Sequence, residues 1–221
     1  MSAKLWTDVD AYVVDKLMPA DAVMEASLRA NAAGGLPAID VSPAQGKLLH
    51  LLVRMSGARR VLEIGTLGGY STIWMARALP ANGELVTLEF EPVHAAVAKG
   101  NIETAGLSGK VDIRVGKAAD LLPVLAAENQ TPFDFIFIDA DKPSNPIYLD
   151  WALKLSRPGT VIVCDNVIRD GAVIRANSGD ANVDGARSAF DFFASHPQVT
   201  ATAIQTVGAK GYDGFAIGIL G

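Results

Sequence analysis

The sequence contains little cysteine and little histidine: 1 Cys and 3 His among 221 residues. The single cysteine, Cys164, has no partner for an internal disulfide, which excludes a disulfide-stabilised secreted fold. His50, His94 and His196 are scattered along the chain, without a partner at the spacing of a zinc site or of a catalytic triad. Chemistry that depends on thiolate or imidazole ligands is therefore not expected.

Long apolar runs and blocks of positive charge are also missing. With 19 Lys and Arg against 24 Asp and Glu, the formal net charge is −5. No basic cluster is present to bind a nucleic acid or an anionic membrane. The apolar segments VTLEF, FDFIFID and TVIVCD each meet an acidic residue well before the roughly 20 residues that a spanning helix needs. Charges also occupy the start of the chain, where a signal peptide needs an apolar run. We therefore expect a cytoplasmic protein without a nucleic-acid or membrane partner.

Half of the residues are hydrophobic, and the length suits one domain. Residues 1–57 are predicted to form a helical extension, in which Asp21 caps the second helix and Ser42, Pro43 and Gln45 begin the third with a capping box. Over residues 58–221, short β-branched runs alternate with helical stretches, and such continuous apolar strands favour a parallel sheet covered on both faces. Val199–Val207 and Phe215–Leu220 are predicted to form a hairpin across the intervening residues, so the last strand should be antiparallel. The predicted fold is α/β: a Rossmann-like, doubly wound, mostly parallel seven-stranded sheet.

In such a sheet, ligands bind beyond the carboxyl ends of the strands. The first predicted strand leads into a glycine-containing loop, Glu63–Ser71, in which Ser71 is predicted to cap the next helix. Gly65, Gly68 and Gly69 do not form the GxGxxG pattern of dinucleotide-binding folds. Glu89 ends the second strand, where a carboxylate accepts ribose hydroxyls, although a solvated acid at a strand end is the alternative. Together, the glycine loop and Glu89 predict a nucleoside ligand.

Oxygen donors follow two later strands. Asp139 comes directly after the fourth strand, and Asp165 and Asn166 follow the fifth. Acids at strand ends often only form turns, but two such clusters on neighbouring strands favour a site for Mg²⁺ or Ca²⁺ over a zinc site. Lys142 lies near both clusters, and a dication beside it would lower its pKa and make it available as a base.

Four separated motifs, VLEIGTLGGYS, TLEFE, FIDADK and CDN, resemble the cation-dependent class I O-methyltransferases that use S-adenosylmethionine. This family includes the caffeoyl-CoA and catechol O-methyltransferases, and the similarity covers nearly the whole chain. The resemblance implies a homodimer that methylates a hydroxyl of a small, catechol-type aromatic substrate. It also implies a divalent cation, with Mg²⁺ first and Ca²⁺ or Mn²⁺ as alternatives.

The resemblance also assigns roles to individual residues. Lys142 would be the catalytic base. The divalent cation would bind Asp139, Asp165 and Asn166. Residues that would contact S-adenosylmethionine are Val41, Glu63, Gly65, Thr66 and Ser71 around its methionine part, Glu89 at the ribose, Ala118 at the adenine, Asp141 at the amino group, and Asp139.

The sequence differs from the plant members of this family at a position that bears on substrate choice. Asp170 stands where the plant caffeoyl-CoA enzymes have Asn, and no basic cluster offers itself to a CoA phosphate. These features favour a free catechol or a polyphenol, with the N-terminal helices and the irregular segment 169–184 as the determinants of specificity.

Three other interpretations were weighed. A nucleotide-dependent oxidoreductase should carry GxGxxG, which is absent. A non-catalytic nucleoside-binding protein needs neither Lys142 nor the cation ligands. Metal-independent methylation would require a histidine base at the ends of the strands.

Overall fold

A computed structural model describes residues 3–128 and 132–221. Three helices precede the first strand: α1 (Ala3–Leu17), α2 (Ala22–Ala33) and α3 (Pro43–Met55). The side chain of Asp21 caps α2, and Ser42 caps α3 by accepting from the backbone N–H of Gln45 at 3.2 Å. The predicted capping box is only half formed, because the side chain of Gln45 donates a hydrogen bond to the distant Asp165 instead of bonding back to Ser42.

Seven strands form one sheet in the order β3-β2-β1-β4-β5-β7-β6. Their bounds are β1 Arg60–Ile64, β2 Glu84–Glu89, β3 Val111–Val115, β4 Phe133–Ile138, β5 Ser156–Asp165, β6 Val199–Gly208 and β7 Gly211–Leu220. The pairs from β3 to β5 are parallel, whereas β7 is antiparallel to both of its neighbours, β5 and β6. The predicted doubly wound sheet with an antiparallel last strand is thereby confirmed.

Five further helices cover the two faces of the sheet: α4 (Tyr70–Ala78), α5 (Pro92–Thr104), α6 (Ala118–Ala127), α7 (Asn145–Lys154) and α8 (Ala181–Ser195). Neighbouring residues of β4 belong to opposite core clusters. Phe135 and Phe137 pack with residues of α3, α4 and α5, whereas Ile136 and Ile138 pack with residues of α6, α7 and α8. This alternation explains the continuous apolar residues from Phe135 to Ile138 in β4, since both faces of the strand are buried there. None of the helices within the described residues is both long and apolar enough to cross a membrane.

The structure corrects two details near the end of the chain. The hairpin has a two-residue turn, Ala209-Lys210, because β6 continues to Gly208 and β7 begins at Gly211. The predicted connection, which comprised the seven residues 208–214, was wrong. The two strands pair beyond their apolar residues, into the polar residues that follow in β6 and precede in β7. The irregular segment is also shorter than expected, because α8 already begins at Ala181, where Asp180 caps it.

Candidate active site

A cavity of about 830 Å³ opens at the carboxyl ends of β1, β2, β4 and β5. It brings most of the predicted site residues together: Val41, Gly65, Thr66, Ser71, Glu89, Ala118, Asp139, Asp141, Lys142 and Asn166. Glu63 and Asp165 do not line it. Both are buried, and each is hydrogen-bonded to a residue that does. Most of the predicted site residues therefore share one cavity, and their individual roles stay predictions.

The glycine loop passes close to the end of β4. Gly65 has φ 100°, and a Cβ there would lie 2.0 Å from the carbonyl oxygen of Asp139. Only glycine fits both the conformation and the distance. Gly69, with φ 81°, begins α4 without a side-chain cap, so the predicted capping by Ser71 is wrong. The helix starts one residue earlier, at Tyr70, and the Ser71 hydroxyl turns to Glu63 instead.

Glu63 is fully buried beneath this loop. Its carboxylate accepts hydrogen bonds from three hydroxyls, those of Ser71 at 2.5 Å, Thr87 at 2.7 Å and Thr72. Burial raises the pKa of Glu63 to about 7, against the opposing effect of the three hydroxyl donors. The side chain therefore ties β1, β2 and the start of α4 together from behind the cavity wall.

Glu89 holds the outer part of the same loop. One carboxylate oxygen accepts from the backbone N–H of Thr66 at 3.1 Å and of Leu67 at 2.7 Å, and the other accepts from Glu91 N–H at 2.9 Å. The Nδ1 atom of His94 lies 3.4 Å from this second oxygen. An ionised carboxylate has about four acceptor positions, so Glu89 keeps capacity for about one further donor on the cavity side.

Lys142 is buried and also lines the cavity. Its Nζ atom lies 3.0 Å from Oδ1 of Asp139. Burial acts to lower the pKa of Lys142, but the negative charges of Asp139 and Asp165 outweigh it, and the pKa lies above its ordinary value. The protonated amine is therefore favoured beside these two carboxyl groups.

Asp165 ends β5 and is 4% exposed. One carboxylate oxygen accepts from the side-chain amide of Gln45 at 2.6 Å, and the other accepts from Asn166 N–H at 2.8 Å. Burial and the charge of Asp139 raise the pKa of Asp165. Asn166 has φ 54°, a left-handed conformation that asparagine tolerates better than most residues.

These donors fit a hard cation. Two carboxylates repel each other at a buried site, and each oxygen of Asp165 keeps one lone pair after its hydrogen bond. The described residues hold no group of three or more His, Cys, Asp and Glu with the geometry of a metal site. The predicted cation ligands are fewer in carboxylates: two carboxyl groups, Asp139 and Asp165, and the amide of Asn166. Oxygen donors of this kind suit Mg²⁺ or Ca²⁺.

Several cavity residues were not singled out from the sequence. Two of them are Ser144 and Tyr148, which line the cavity and donate from their hydroxyls to Asp141, itself a predicted site residue. Asp40 accepts from the amide of Asn31 at 2.7 Å, a contact between α2 and the segment before α3. Spacing after the strands gave no signal for these residues. Other lining side chains of this kind are Phe90, Lys117, Arg169 and Asn182.

The fold and the cavity together match the Rossmann-like methyltransferase class that the sequence motifs implied. A family model described as O-methyltransferase matches residues 17–208. The chain belongs to this family, and it is an S-adenosylmethionine-dependent O-methyltransferase.

Similar proteins agree with this assignment. The chain is 53% identical to a catechol O-methyltransferase of Niastella koreensis over 220 residues, covering 100% of both chains. It is 51% identical to a catechol O-methyltransferase of Mycobacterium tuberculosis, covering 96% of this chain and 95% of that protein. The crystal structure of an O-methyltransferase from Bacillus cereus in complex with SAH matches with a TM-score of 0.98 and 55% identity, covering 100% of both chains. The O-methyltransferase TomG from Streptomyces achromogenes, in complex with SAM, matches with a TM-score of 0.96 and 48% identity, covering 100% of this chain and 99% of that one. These matches favour the methyltransferase interpretation over an oxidoreductase or a non-catalytic binding protein.

Proposed function

We propose that this protein transfers the methyl group of S-adenosylmethionine to one hydroxyl of a catechol-type substrate, and that the reaction depends on a divalent cation, with Mg²⁺ first. The observation that carries this proposal is the buried pair of Lys142 and Asp139, 3.0 Å apart in the cavity that the glycine loop lines. In this proposal Lys142 would accept the proton of the acceptor hydroxyl once a cation is bound, and Asp139 would be one of the oxygen ligands of that cation. The names of the two catechol O-methyltransferase relatives support this substrate class.

The cofactor would lie along the glycine loop. Gly65, Thr66 and Ser71 line the cavity on this side, and Val41 closes it from the segment before α3. The remaining acceptor position of Glu89 would take a ribose hydroxyl. Ala118 is the first residue of α6 and would lie against the adenine, while Asp141 would meet the amino group. Glu63 acts from behind the cavity wall, where it fixes the hydroxyl of Ser71.

The cation would be held by Asp139, Asp165 and Asn166. When bound, it would supply Lewis-acid polarisation that lowers the pKa of an acceptor hydroxyl and orients two vicinal oxygens. Gln45 keeps one oxygen of Asp165 in place from α3, and the backbone of Asn166 keeps the other. These two contacts hold the carboxylate of Asp165 in one orientation, which supports its proposed role as a ligand.

Lys142 would remove the hydroxyl proton. Two carboxylates now raise the pKa of its amine, whereas burial opposes them. A cation that neutralises Asp139 and Asp165 would cancel this attraction, so that burial would lower the pKa of Lys142 toward the range of a working base. The main contribution of the protein would then be orientation of the acceptor oxygen in a site closed to water.

We also propose a homodimer in the cytoplasm. No residue of α1 is buried in this chain, and Leu5, Val9 and Tyr12 on it are 47%, 51% and 64% exposed. An amphipathic helix that leaves its apolar side chains exposed offers a surface for a second copy. The buried thiol of Cys164, unpaired with another cysteine, suits a reducing compartment.

The test is a methyl-transfer assay with S-adenosylmethionine and 1,2-dihydroxybenzene, run with Mg²⁺ and with excess EDTA. We expect methylated product with Mg²⁺, loss of activity with EDTA and recovery when Mg²⁺ is restored. Activity that EDTA leaves unchanged would contradict the cation dependence. Titration calorimetry with S-adenosylhomocysteine and with NAD⁺ provides a second readout, and binding of NAD⁺ alone would contradict the cofactor assignment.

A further inference from the structure

Arg169 lines the active-site cavity and lies three residues after Asn166 in the sequence. It begins the irregular segment between β5 and α8, which follows the proposed cation ligands. A side chain at this place would face the part of the acceptor that extends beyond its reacting hydroxyls.

The backbone at this point is strained and firmly held. Arg169, Asp170 and Gly171 all have left-handed conformations, with φ 53°, 52° and 78°. Such a conformation costs on the order of 1 kcal/mol for each non-glycine residue and persists only where the surroundings impose it. Here Asp213 imposes it, because one of its carboxylate oxygens accepts from Ile168 N–H at 3.0 Å and from Arg169 N–H at 2.9 Å. The position of Arg169 is therefore fixed by the hairpin end of β7.

The guanidinium of Arg169 has unused hydrogen-bonding capacity. Its Nη1 atom is 3.8 Å from Oδ2 of Asp213, which is too long for a hydrogen bond. Its Nε atom is buried and has no hydrogen-bond partner within the described part of the chain. By contrast, Arg157 donates from both Nε and Nη2 to Asp134 at the opposite edge of the sheet. Since a guanidinium has five donors in a planar fork, the terminal nitrogens of Arg169 can still bind an oxyanion.

We propose that Arg169 binds a carboxylate on the acceptor, and hence that the substrates are catechols with an acidic substituent, of the dihydroxybenzoate or dihydroxycinnamate type. This inference rests on the proposed function. The other cations that line the cavity are Lys117, on the adenine side before α6, and Lys142, which pairs with Asp139. Arg169 is therefore the cation placed to meet a charged substituent of the acceptor. A carboxylate would form charge-assisted bonds with the fork, whereas an amine substituent would be repelled.

The test compares three acceptors that share the catechol ring: 3,4-dihydroxybenzoate, 1,2-dihydroxybenzene and 3,4-dihydroxyphenethylamine. The wild-type enzyme should have its highest kcat/KM with the benzoate and its lowest with the amine. In R169Q, the ratio of kcat/KM for the benzoate to that for 1,2-dihydroxybenzene should fall by about 10- to 100-fold, mainly through KM, since a hydrogen bond to a charged group contributes roughly 1.5–3 kcal/mol. R169K keeps the charge but loses the fork, so its ratio should lie between those of R169Q and the wild type.

R175Q is the matched control, because Arg175 is exposed in the same segment and does not line the cavity. Its acceptor preference should equal that of the wild type. The inference is overturned if the wild-type enzyme prefers the amine, or if R169Q lowers activity equally with all three acceptors. A loss of S-adenosylhomocysteine affinity in R169Q would also overturn it, because the guanidinium would then serve the cofactor's carboxylate. If R169Q does not fold, the wild-type order of the three acceptors still decides. Failure of the wild type to methylate any of them would contradict the proposed function itself.

Discussion

The side-chain amide of Gln45 donates a hydrogen bond to Asp165 over 2.6 Å, although 120 residues separate them in the sequence. Gln45 belongs to the first turn of α3, next to the segment that carries Val41, whereas Asp165 ends β5. The bond therefore joins the helical N-terminal part of the chain to the proposed cation ligands. It also leaves Asp165 with one defined orientation at a buried position.

Replacing Gln45 by Ala should weaken the binding of Mg²⁺. Groups that orient a metal ligand typically contribute 10- to 100-fold to metal affinity. We expect a rise of about 10-fold or more in the Kd for Mg²⁺, measured by calorimetry with S-adenosylhomocysteine present. Gln198→Ala, at an exposed glutamine away from the cavity, should leave this Kd unchanged. An unaltered Kd in a folded Gln45→Ala protein would show that the bond has no part in cation binding.

Lys142→Ala should lower kcat while the affinity for the cofactor is kept. Loss of a general base commonly costs 10²- to 10⁴-fold in rate. Lys142 itself has no proposed contact with the cofactor, so the Kd for S-adenosylhomocysteine should change by less than about threefold. The control is Lys154→Ala, since Lys154 is exposed on α7. A rate loss matched by an equal loss of S-adenosylhomocysteine affinity would argue against a role as base.

Glu63 should make the protein less stable as the pH rises. Its pKa in the folded chain is about 7, against an ordinary value of 4.5, so between these values the folded state keeps a proton that the unfolded state releases. This proton therefore contributes most to the stability of the folded state below about pH 4.5. The contribution falls as the pH rises and is lost above about pH 7. For a fully buried carboxyl group we expect a loss on the order of 1–3 kcal/mol between pH 5 and 8.

The measurement is the free energy of unfolding in urea at pH 5 and at pH 8. Glu63→Gln should show a smaller decrease between these pH values than the wild type does, because the neutral amide does not titrate. Glu103→Gln, at an exposed glutamate on α5, should follow the wild type. Equal decreases in the wild type and in Glu63→Gln would mean that Glu63 does not carry a raised pKa.

Glu89→Ala should weaken cofactor binding in two ways. The backbone N–H groups of Thr66 and Leu67 would lose their acceptor, and a ribose hydroxyl would lose its partner. We expect the Kd for S-adenosylhomocysteine to rise about 10-fold or more, since an unpaired buried donor costs roughly 1–3 kcal/mol. Glu91→Gln is the matched control at the exposed neighbour.

A comparison of adenosine with 2′-deoxyadenosine separates these two contributions. If Glu89 binds the ribose, the wild-type protein should prefer adenosine, and Glu89→Ala should lose this preference. A preference that persists in the variant would restrict Glu89 to holding the loop.

A part of the fold was predictable from the sequence where burial gives a single strand a recognisable pattern of apolar residues. The segment FDFIFID is almost entirely apolar because both faces of β4, Phe133–Ile138, are buried. Most of β6 is exposed, so the polar residues near its end carry no periodic signal. The two-residue turn at Ala209 depends on pairing with β7 and was for that reason not predictable.

The candidate site divides in the same way. That Glu89, Asp139 and Asn166 line one cavity was predictable, because residues directly after parallel strands must meet at one edge of the sheet. The partners that hold them come from distant segments. Neither the contact of Asp213 with the backbone of Arg169 nor that of Gln45 with Asp165 has a signature at any fixed spacing, because each depends on how separate elements pack.

The position of β7 between β5 and β6 constrains the order in which the sheet can assemble. Strand β6 precedes β7 in the chain, yet it has no place on the sheet until β7 has paired with β5. Strand β6 therefore joins the sheet after β7 or together with it as a hairpin, an element that forms in about 1–10 μs on its own. A chain shortened before residue 211 would leave β5, with its buried Ile162, Val163 and Cys164, as an open edge. Such an edge promotes pairing between molecules, so we expect loss of these residues to cause aggregation rather than a smaller folded enzyme.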